Sequence, residues 1–237
     1  MIIVIVRTRD EEHRIGKFCE AYQTADKILV ADGGSVDNTV EIAKSYPNVE
    51  LLHYTKRVQL ANGLWRNPDS DHVNFLIKAA YEYKPDWVIL DDCDCRPNAW
   101  LKHDYIDILK TTSADYVMVT RLFVSWNENK HFVYLAKPNK KDYEPSMWAW
   151  RGNLDFWTVD VPPAYHFRLG DREITNIRTE NVLELMPPYC LLHYSWDNLE
   201  RVDAKVKYYR ESEFIPGQLH PREYGSPEEL LPEWAHE

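Results

Sequence analysis

Trp87-Val88-Ile89-Leu90-Asp91-Asp92-Cys93-Asp94 is the stretch on which the fold turns. Four apolar residues between polar neighbours make a short strand of the kind buried on both faces of a parallel sheet. The strand runs directly into an acidic cluster. Where an extended chain gives way to a loop, carboxylates at i and i+2 face one side, so Asp92 and Asp94 converge. Their hard oxygens suit a divalent ion such as Mg²⁺ or Mn²⁺, which can in turn hold nucleotide phosphates. Acidic pairs are common in solvated turns, and it is the position at a strand's end that gives this one weight.

The same grammar repeats upstream. Ile2 to Val6 is a continuously apolar strand, and Glu11 to Tyr22 carries Ile15, Phe18, Cys19 and Tyr22 at helical spacing. Lys27 to Ala31 is a second strand ended by Asp32-Gly33-Gly34-Ser35. Ser35 or Asp37 caps a helix through Ile42 and Ala43 that stops before Pro47. Val49 to His53 is a third strand, and a helix through Phe75, Leu76, Ala79, Ala80 and Tyr83 leads into the Trp87 strand. Alternating strands and helices predict an α/β fold, a Rossmann-like, mostly parallel sheet with helices on both faces. Ligands of such sheets collect beyond the carboxyl ends of the strands. Arg7-Thr8-Arg9-Asp10-Glu11, Asp32-Gly33-Gly34-Ser35 and Asp92-Cys93-Asp94 all stand there, so the topology brings three distant clusters to one rim.

The second half is less regular. Asp115 to Val119 and Phe132 to Ala136 read as strands, Lys137 to Pro145 as a polar loop, and Leu199 to Tyr209 as a helix. The tail after Pro216 is rich in Pro and Glu and is expected to wrap the surface or stay mobile. No repeat and no linker demands a second domain. One domain over 1–237 is expected, with a nucleotide-binding half (1–100), an acceptor-binding half (101–215) and a tail (216–237).

Composition bounds the function. The chain has 237 residues, and its formal charge of −10 disfavours general nucleic-acid binding, which is built from clustered Lys and Arg. No run approaches the ~18 to 20 apolar residues of a membrane span, and the apolar start lacks the basic flank and cleavage site of a signal peptide. Four scattered cysteines do not make a disulfide scaffold, and the Cys93/Cys95 pair has no second pair to complete a zinc site. The expected setting is cytoplasmic, with peripheral membrane attachment through the aromatic half left open. The nine Trp and fifteen Tyr fit a lined cleft as well as a large core.

Three segments together resemble family 2 glycosyltransferases of the GT-A fold. Val4-Ile5-Val6-Arg7-Thr8-Arg9-Asp10-Glu11-Glu12 is similar to the family's opening strand and turn, with Arg7 in place of its usual proline and Asp10 in place of its asparagine. Asp32-Gly33-Gly34-Ser35-Val36-Asp37-Asn38-Thr39 is similar to its second turn, and Trp87 to Asp94 to the strand that ends in its metal-binding aspartate-x-aspartate. Leu191-Leu192-His193-Tyr194-Ser195 is similar to a histidine-bearing strand end in bacterial lipopolysaccharide-core relatives. The resemblance implies a metal-dependent, inverting transfer of a sugar from a nucleotide-sugar (UDP-, GDP- or dTDP-linked) to a hydroxyl acceptor such as a glycan. It implies a nucleotide-sugar set of Thr8, Arg9, Glu11, Asp32, Gly34, Asp91 and Asp92. It also implies Asp92, Asp94 and His193 as ligands of Mn²⁺ or Mg²⁺.

Transfer needs a general base to take the acceptor's proton, and no motif singles one out. Asp155, set among Trp148, Trp150 and Trp157, is the leading candidate, because aromatic neighbours could supply an acceptor platform. Asp160, His166 and Asp171 are alternatives. Three other classes stay in view. A non-catalytic nucleotide-sugar or glycan-binding module would keep the donor site and lack the base. A sugar nucleotidyltransferase would need a Gly-rich first loop that Arg7 to Glu11 does not provide. A dehalogenase-type phosphatase would carry its aspartate pair after the first strand.

Overall fold

The computed structural model describes residues 1–59, 65–66, 69–127, 130–134, 145–161, 164–174, 180–196 and 229–230. Its first half runs β1 (Ile2–Thr8), α1 (Ile15–Ala21), β2 (Lys27–Asp32), α2 (Thr39–Lys44) and β3 (Val49–His53). A two-stranded pair, β4 (Val58–Gln59) and β5 (Trp65–Arg66), precedes α3 (Asp69–Tyr81), β6 (Trp87–Leu90), β7 (Cys95–Pro97) and α4 (Ala99–Thr111). The second half adds β8 (Tyr116–Asn127), β9 (Lys130–Tyr134), β10 (Pro145–Arg151), β11 (Phe156–Val161), β12 (Ala164–Leu169) and β13 (Arg172–Glu173). It ends with β14 (Val182–Trp196) and β15 (Glu229–Leu230).

The main sheet has the order β15-β9-β8-β10-β6-β1-β2-β3. Its β6-β1-β2-β3 half is parallel throughout, as the alternating pattern predicts. Side chains of β1 alternate between two cores. Ile2, Val4 and Val6 face α1, α2 and α4, while Ile3 and Ile5 face α3 and Phe156 of β11. Helices therefore cover both faces. α4 is a helix that the sequence pattern alone does not single out; Asn98 caps it by accepting the Leu101 amide at 3.2 Å.

β10 runs antiparallel to both β6 and β8. An irregularity in the ladder between Met147 and Ala149 breaks its alternation, so Trp148 and Trp150, two residues apart, enter opposite cores, both fully buried. Each indole N–H finds a tyrosine oxygen at 3.1 Å, Trp148 on Tyr22 and Trp150 on Tyr81. Burying about 200 Å² apiece, each stabilises by about 5 kcal/mol before entropy is counted. These two tryptophans are core, not an acceptor platform.

β14 pairs parallel with β8 and antiparallel with β7. The tail contributes an edge strand, since Glu229 and Leu230 pair with Val133 and Phe132. The helix expected over Leu199 to Tyr209 lies outside the described residues, and so does the loop expected over Lys137 to Pro145 except for Pro145, which is the first residue of β10.

Candidate functional site

The three clusters do meet. Thr8 and Asp32 are lateral neighbours at the ends of β1 and β2, and the Gly33 amide donates to the Thr8 carbonyl at 2.9 Å. Both side chains are buried. The Asp32 carboxylate accepts from the Gly34 amide (3.0 Å), the Ser35 amide (3.1 Å) and the Ser35 hydroxyl (2.5 Å), so its first task is to build its own turn. Gly34 has φ +91°, and a Cβ there would lie 2.5 Å from Nη2 of Arg57, which closes over the turn.

Much of the motif wording serves this scaffold. The Asp10 amide donates to the Ser35 hydroxyl at 2.9 Å, and the Val36 amide donates to Asp10 Oδ1 at 2.8 Å. The Glu11 amide donates to Thr39 Oγ1 at 2.7 Å, and the Glu12 amide to Asp37 Oδ2 at 3.1 Å. The Glu11 and Glu12 amides are taken up by this lacing, and the Glu11 carbonyl accepts the Arg14 and Ile15 amides at 2.9 Å where α1 begins. Neither capping candidate for α2 is its N-cap, which is Asn38 without a side-chain cap bond; Asp37, one residue earlier, accepts the Thr39 amide at 3.0 Å, and Ser35 serves the first loop. The Glu11 carboxylate faces Arg14 Nη1 at 3.3 Å, and Arg14 Nη2 donates to the Tyr194 carbonyl at 3.0 Å. Arg9 is exposed beside Asp10.

Asp91 corrects an expectation. Placed by the resemblance against the nucleotide, it has a side chain with no exposure at all. Its Oδ2 accepts from Tyr22 at 2.6 Å and its Oδ1 from the Asp92 amide at 3.0 Å. Burial pushes its carboxyl up to about 7 although Arg121 and Tyr22 pull the other way. Asp91 stands behind the rim and anchors Asp92.

Asp92 is half-buried between two guanidinium groups, Oδ1 lying 3.5 Å from Arg7 Nη2 and Oδ2 3.7 Å from Arg121 Nη1. Arg121 also faces Asp91 at 3.9 Å. Sequence reasoning passed over Arg121. The signal was there, because a charged residue inside the apolar run Tyr116 to Val124 needs a partner.

Asp94 and His193, far apart in sequence, are joined by the β7–β14 ladder, in which His193 stands opposite Cys95. His193 Nε2 lies 3.3 Å from Asp94 Oδ1, with both side chains mostly buried. Ligand atoms of Asp94, Cys95 and His193 all fall within 4.8 Å of one another. A carboxylate oxygen and an imidazole nitrogen fit Mn²⁺ or Mg²⁺, whereas the fully buried Cys95 is a soft donor ill matched to either. Asp92 is not in this set.

Neither candidate base is at the rim. Because β10 is antiparallel to β6, it ends beside the start of β6, with Arg151 opposite Trp87 and the Gly152 amide on the Asp86 carbonyl at 3.0 Å. Asp155 follows there, roughly 16 Å along the strand axis from Asp92 at ~3.3 Å per residue. It lines a separate cleft of about 400 Å³ with Asn74, Tyr81 and Trp157. His166 is on β12, where Phe167 packs on Phe156 at 5.1 Å and alternation turns His166 the other way, exposed and 2.6 Å from Glu173. Asp171 is exposed at the turn after β12, and the Asp160 side chain lies outside the description.

Residues 3–176 match the model of glycosyl transferase family 2, and the chain belongs to that family. Its fold is GT-A. The chain is similar over 94% of its length to the Staphylococcus aureus protein TarS, solved as residues 1–349 with UDP-GlcNAc. That likeness has a TM-score of 0.55 at 13% identity and covers 69% of the TarS chain. Uncharacterized proteins of Mycobacterium tuberculosis and Mycobacterium bovis are each 28% identical over 192 residues, 78% of this chain. The chain spans 44% of the length of those curated relatives. Among the described residues, no helix is long and apolar enough to cross a membrane.

Proposed function

We propose that this protein is a glycosyltransferase that moves a sugar from a nucleotide-sugar to a hydroxyl acceptor by inverting, metal-assisted displacement. The observation that carries the reading is the meeting of Asp94 and His193, 3.3 Å apart, at the carboxyl rim of the parallel strands. In this reading Asp94 and His193 hold a Mn²⁺ or Mg²⁺ ion. Once bound, the ion supplies positive charge to the diphosphate leaving group. Thr8, Arg9, Asp32 and Gly34 form the nucleotide side, and the laced loops of β1 and β2 keep that wall preorganised. Asp92 faces the donor's hydroxyl groups. Residues 1–100 then form the donor half of a single domain, and residues 101–215 supply the acceptor side and the base. UDP-, GDP- and dTDP-sugars are the donors to test, with a glycan as acceptor.

The test is a thermal-shift panel of nucleoside diphosphates and nucleotide-sugars, each with Mn²⁺ and with chelator, followed by assay of donor turnover. A ligand at about 100 times its Kd adds about 2.7 kcal/mol of stability. The expected result is metal-dependent stabilisation by one nucleotide, with slow donor hydrolysis in the absence of acceptor. Binding without transfer or hydrolysis would install the binding-module reading instead. No shift with any nucleotide would remove both.

A further inference from the structure

The cleft between α3 and the start of β11 lies at the far rim of the sheet from Asp92. Its volume of about 400 Å³ falls toward the lower end of the ~300–1,000 Å³ usual for small-molecule sites. Its neutral polar groups are taken up within the protein. Asn74 Oδ1 accepts the Thr158 amide at 2.7 Å, and Asn74 Nδ2 donates to the Thr158 carbonyl at 2.8 Å. The Tyr81 hydroxyl donates to the Leu154 carbonyl at 2.7 Å and accepts from the Trp150 indole at 3.1 Å. Trp157 donates its N–H to the Gly170 carbonyl at 2.7 Å, and the Arg168 guanidinium lies 5.3 Å from the centre of its ring. The half-buried indole is therefore fixed, and with its one donor engaged it offers a ligand only apolar surface.

What is left for a ligand is charge, in equal amounts of each sign. Lys78, Glu82, Lys84 and Asp155 line the cleft and are exposed, and among the described residues none of the four charged ends sits in an ion pair. Two ammonium groups and two carboxylates cancel, so neither an anion nor a cation is favoured. They do set strong donors and acceptors side by side around an apolar ring. A neutral saccharide matches that arrangement, since its hydroxyls both donate and accept while its ring C–H bonds form an apolar face. Lys84 adds a second observation. It follows α3 with φ +50°, its amide on the Tyr81 carbonyl at 3.0 Å. Glycine is the usual occupant of such a helix-ending position, and a lysine there is strained.

We infer that this cleft binds a neutral saccharide of one or two units, with Trp157 as its stacking surface and Lys78, Glu82, Lys84 and Asp155 as partners of its hydroxyl groups. The site is separate from the carboxyl rim, roughly 16 Å from Asp92 along the strand axis at ~3.3 Å per residue. In the proposed transfer it holds a remote part of the glycan acceptor. That role alone rests on the transfer reading, whereas the binding itself does not.

The test is titration of the intact protein, without nucleotide or metal, with maltose, cellobiose, mannobiose and chitobiose, read from the ¹⁵N–¹H signals of the indole groups. The Trp157 signal, identified by its loss in Trp157→Phe, should shift saturably with at least one of these disaccharides. Trp157→Ala should weaken that binding at least about tenfold, and Asp155→Asn about three- to tenfold. Lys84→Gly separates binding from structure. Its urea midpoint should rise as the backbone strain is relieved, while saccharide affinity falls about three- to tenfold. A merely structural lysine would move the midpoint and leave the affinity alone. Both exposed variants keep the test decisive if Trp157→Ala fails to fold. A Trp157 signal unmoved by all four disaccharides overturns the inference, as does unaltered affinity in both Asp155→Asn and Lys84→Gly. Tighter binding of digalacturonate than of any neutral disaccharide overturns it in favour of an anion. None of these results touches the donor reading. Conversely, a protein that no nucleotide stabilises keeps its saccharide site and loses only the role in transfer.

Discussion

Tyr22 donates its hydroxyl proton to Asp91 at 2.6 Å, and the pair is sealed between α1 and the end of β6 with no exposure of the carboxylate. Trp148 in turn donates to the Tyr22 oxygen. A motif-bearing strand is thus tied from behind to a helix and to β10. An ionisable group so placed has consequences for stability.

Burial raises the Asp91 carboxyl to about 7, against an ordinary value near 3.9 in the unfolded chain. Between about pH 4 and 7 the native state keeps a proton that the unfolded state has released. Its contribution is therefore complete below about pH 4 and is lost as pH rises through 7. Denaturation of wild type and Asp91→Asn at several pH values checks this. Relative to the variant, wild type should lose of order 2–4 kcal/mol between pH 4 and 7.5. A difference that stays flat with pH would mean the carboxylate is charged throughout.

Two glycines should respond differently to alanine. At Gly34 the clash is with the end of the Arg57 side chain, which can move, so the cost is mainly that of a positive φ, about 1–2 kcal/mol. At Gly152 an added Cβ would run into the Pro85 carbonyl oxygen, and that is backbone. Gly152→Ala should cost more, about 3 kcal/mol or above, because β10 must part from the residues before β6. Urea midpoints that rank the two in the opposite order would contradict the packing described.

Thr39 is fully buried, accepts from the Glu11 amide and donates to Asp37. Thr39→Val keeps the volume and leaves the Glu11 amide without its acceptor. The expected loss is about 1–3 kcal/mol, read as a lower urea midpoint at an unchanged m value.

All four cysteines are buried as free thiols. Burial pushes Cys19 and Cys190 up to about 12, and Cys93 and Cys95 well above the ordinary thiol value. Ellman's reagent at pH 8 should label none within minutes in the native protein and all four in guanidinium. Rapid labelling of the native protein would show that at least one of these buried segments opens.

Much of the carboxyl rim could be read directly, since β1, β2, β3 and β6 are short apolar runs with polar ends and parallel topology forces those ends together. Asp94 and His193 were legible only as separate motifs, and their contact depends on a ladder between distant strands. Asp155 was misplaced for a specific reason: nothing in Pro145 to Arg151 announces that this strand runs against its neighbours, and reversing one strand carries the next loop to the far rim. Asp91 was misjudged because an acidic run does not say which carboxylate points inward. Tyr22 and the Asp92 amide decide that, and both are matters of packing.

Register sets the ion's proposed ligands. β14 lies against β7 with Leu191 opposite Pro97, Leu192 opposite Arg96 and His193 opposite Cys95. A single residue inserted between Cys190 and His193 would turn the imidazole to the other side of the strand and bring Leu192 to its place. The separation of those ligands is therefore counted in rungs of a backbone ladder. Lengthening a loop elsewhere leaves that count alone, while the smallest slip within this strand erases it.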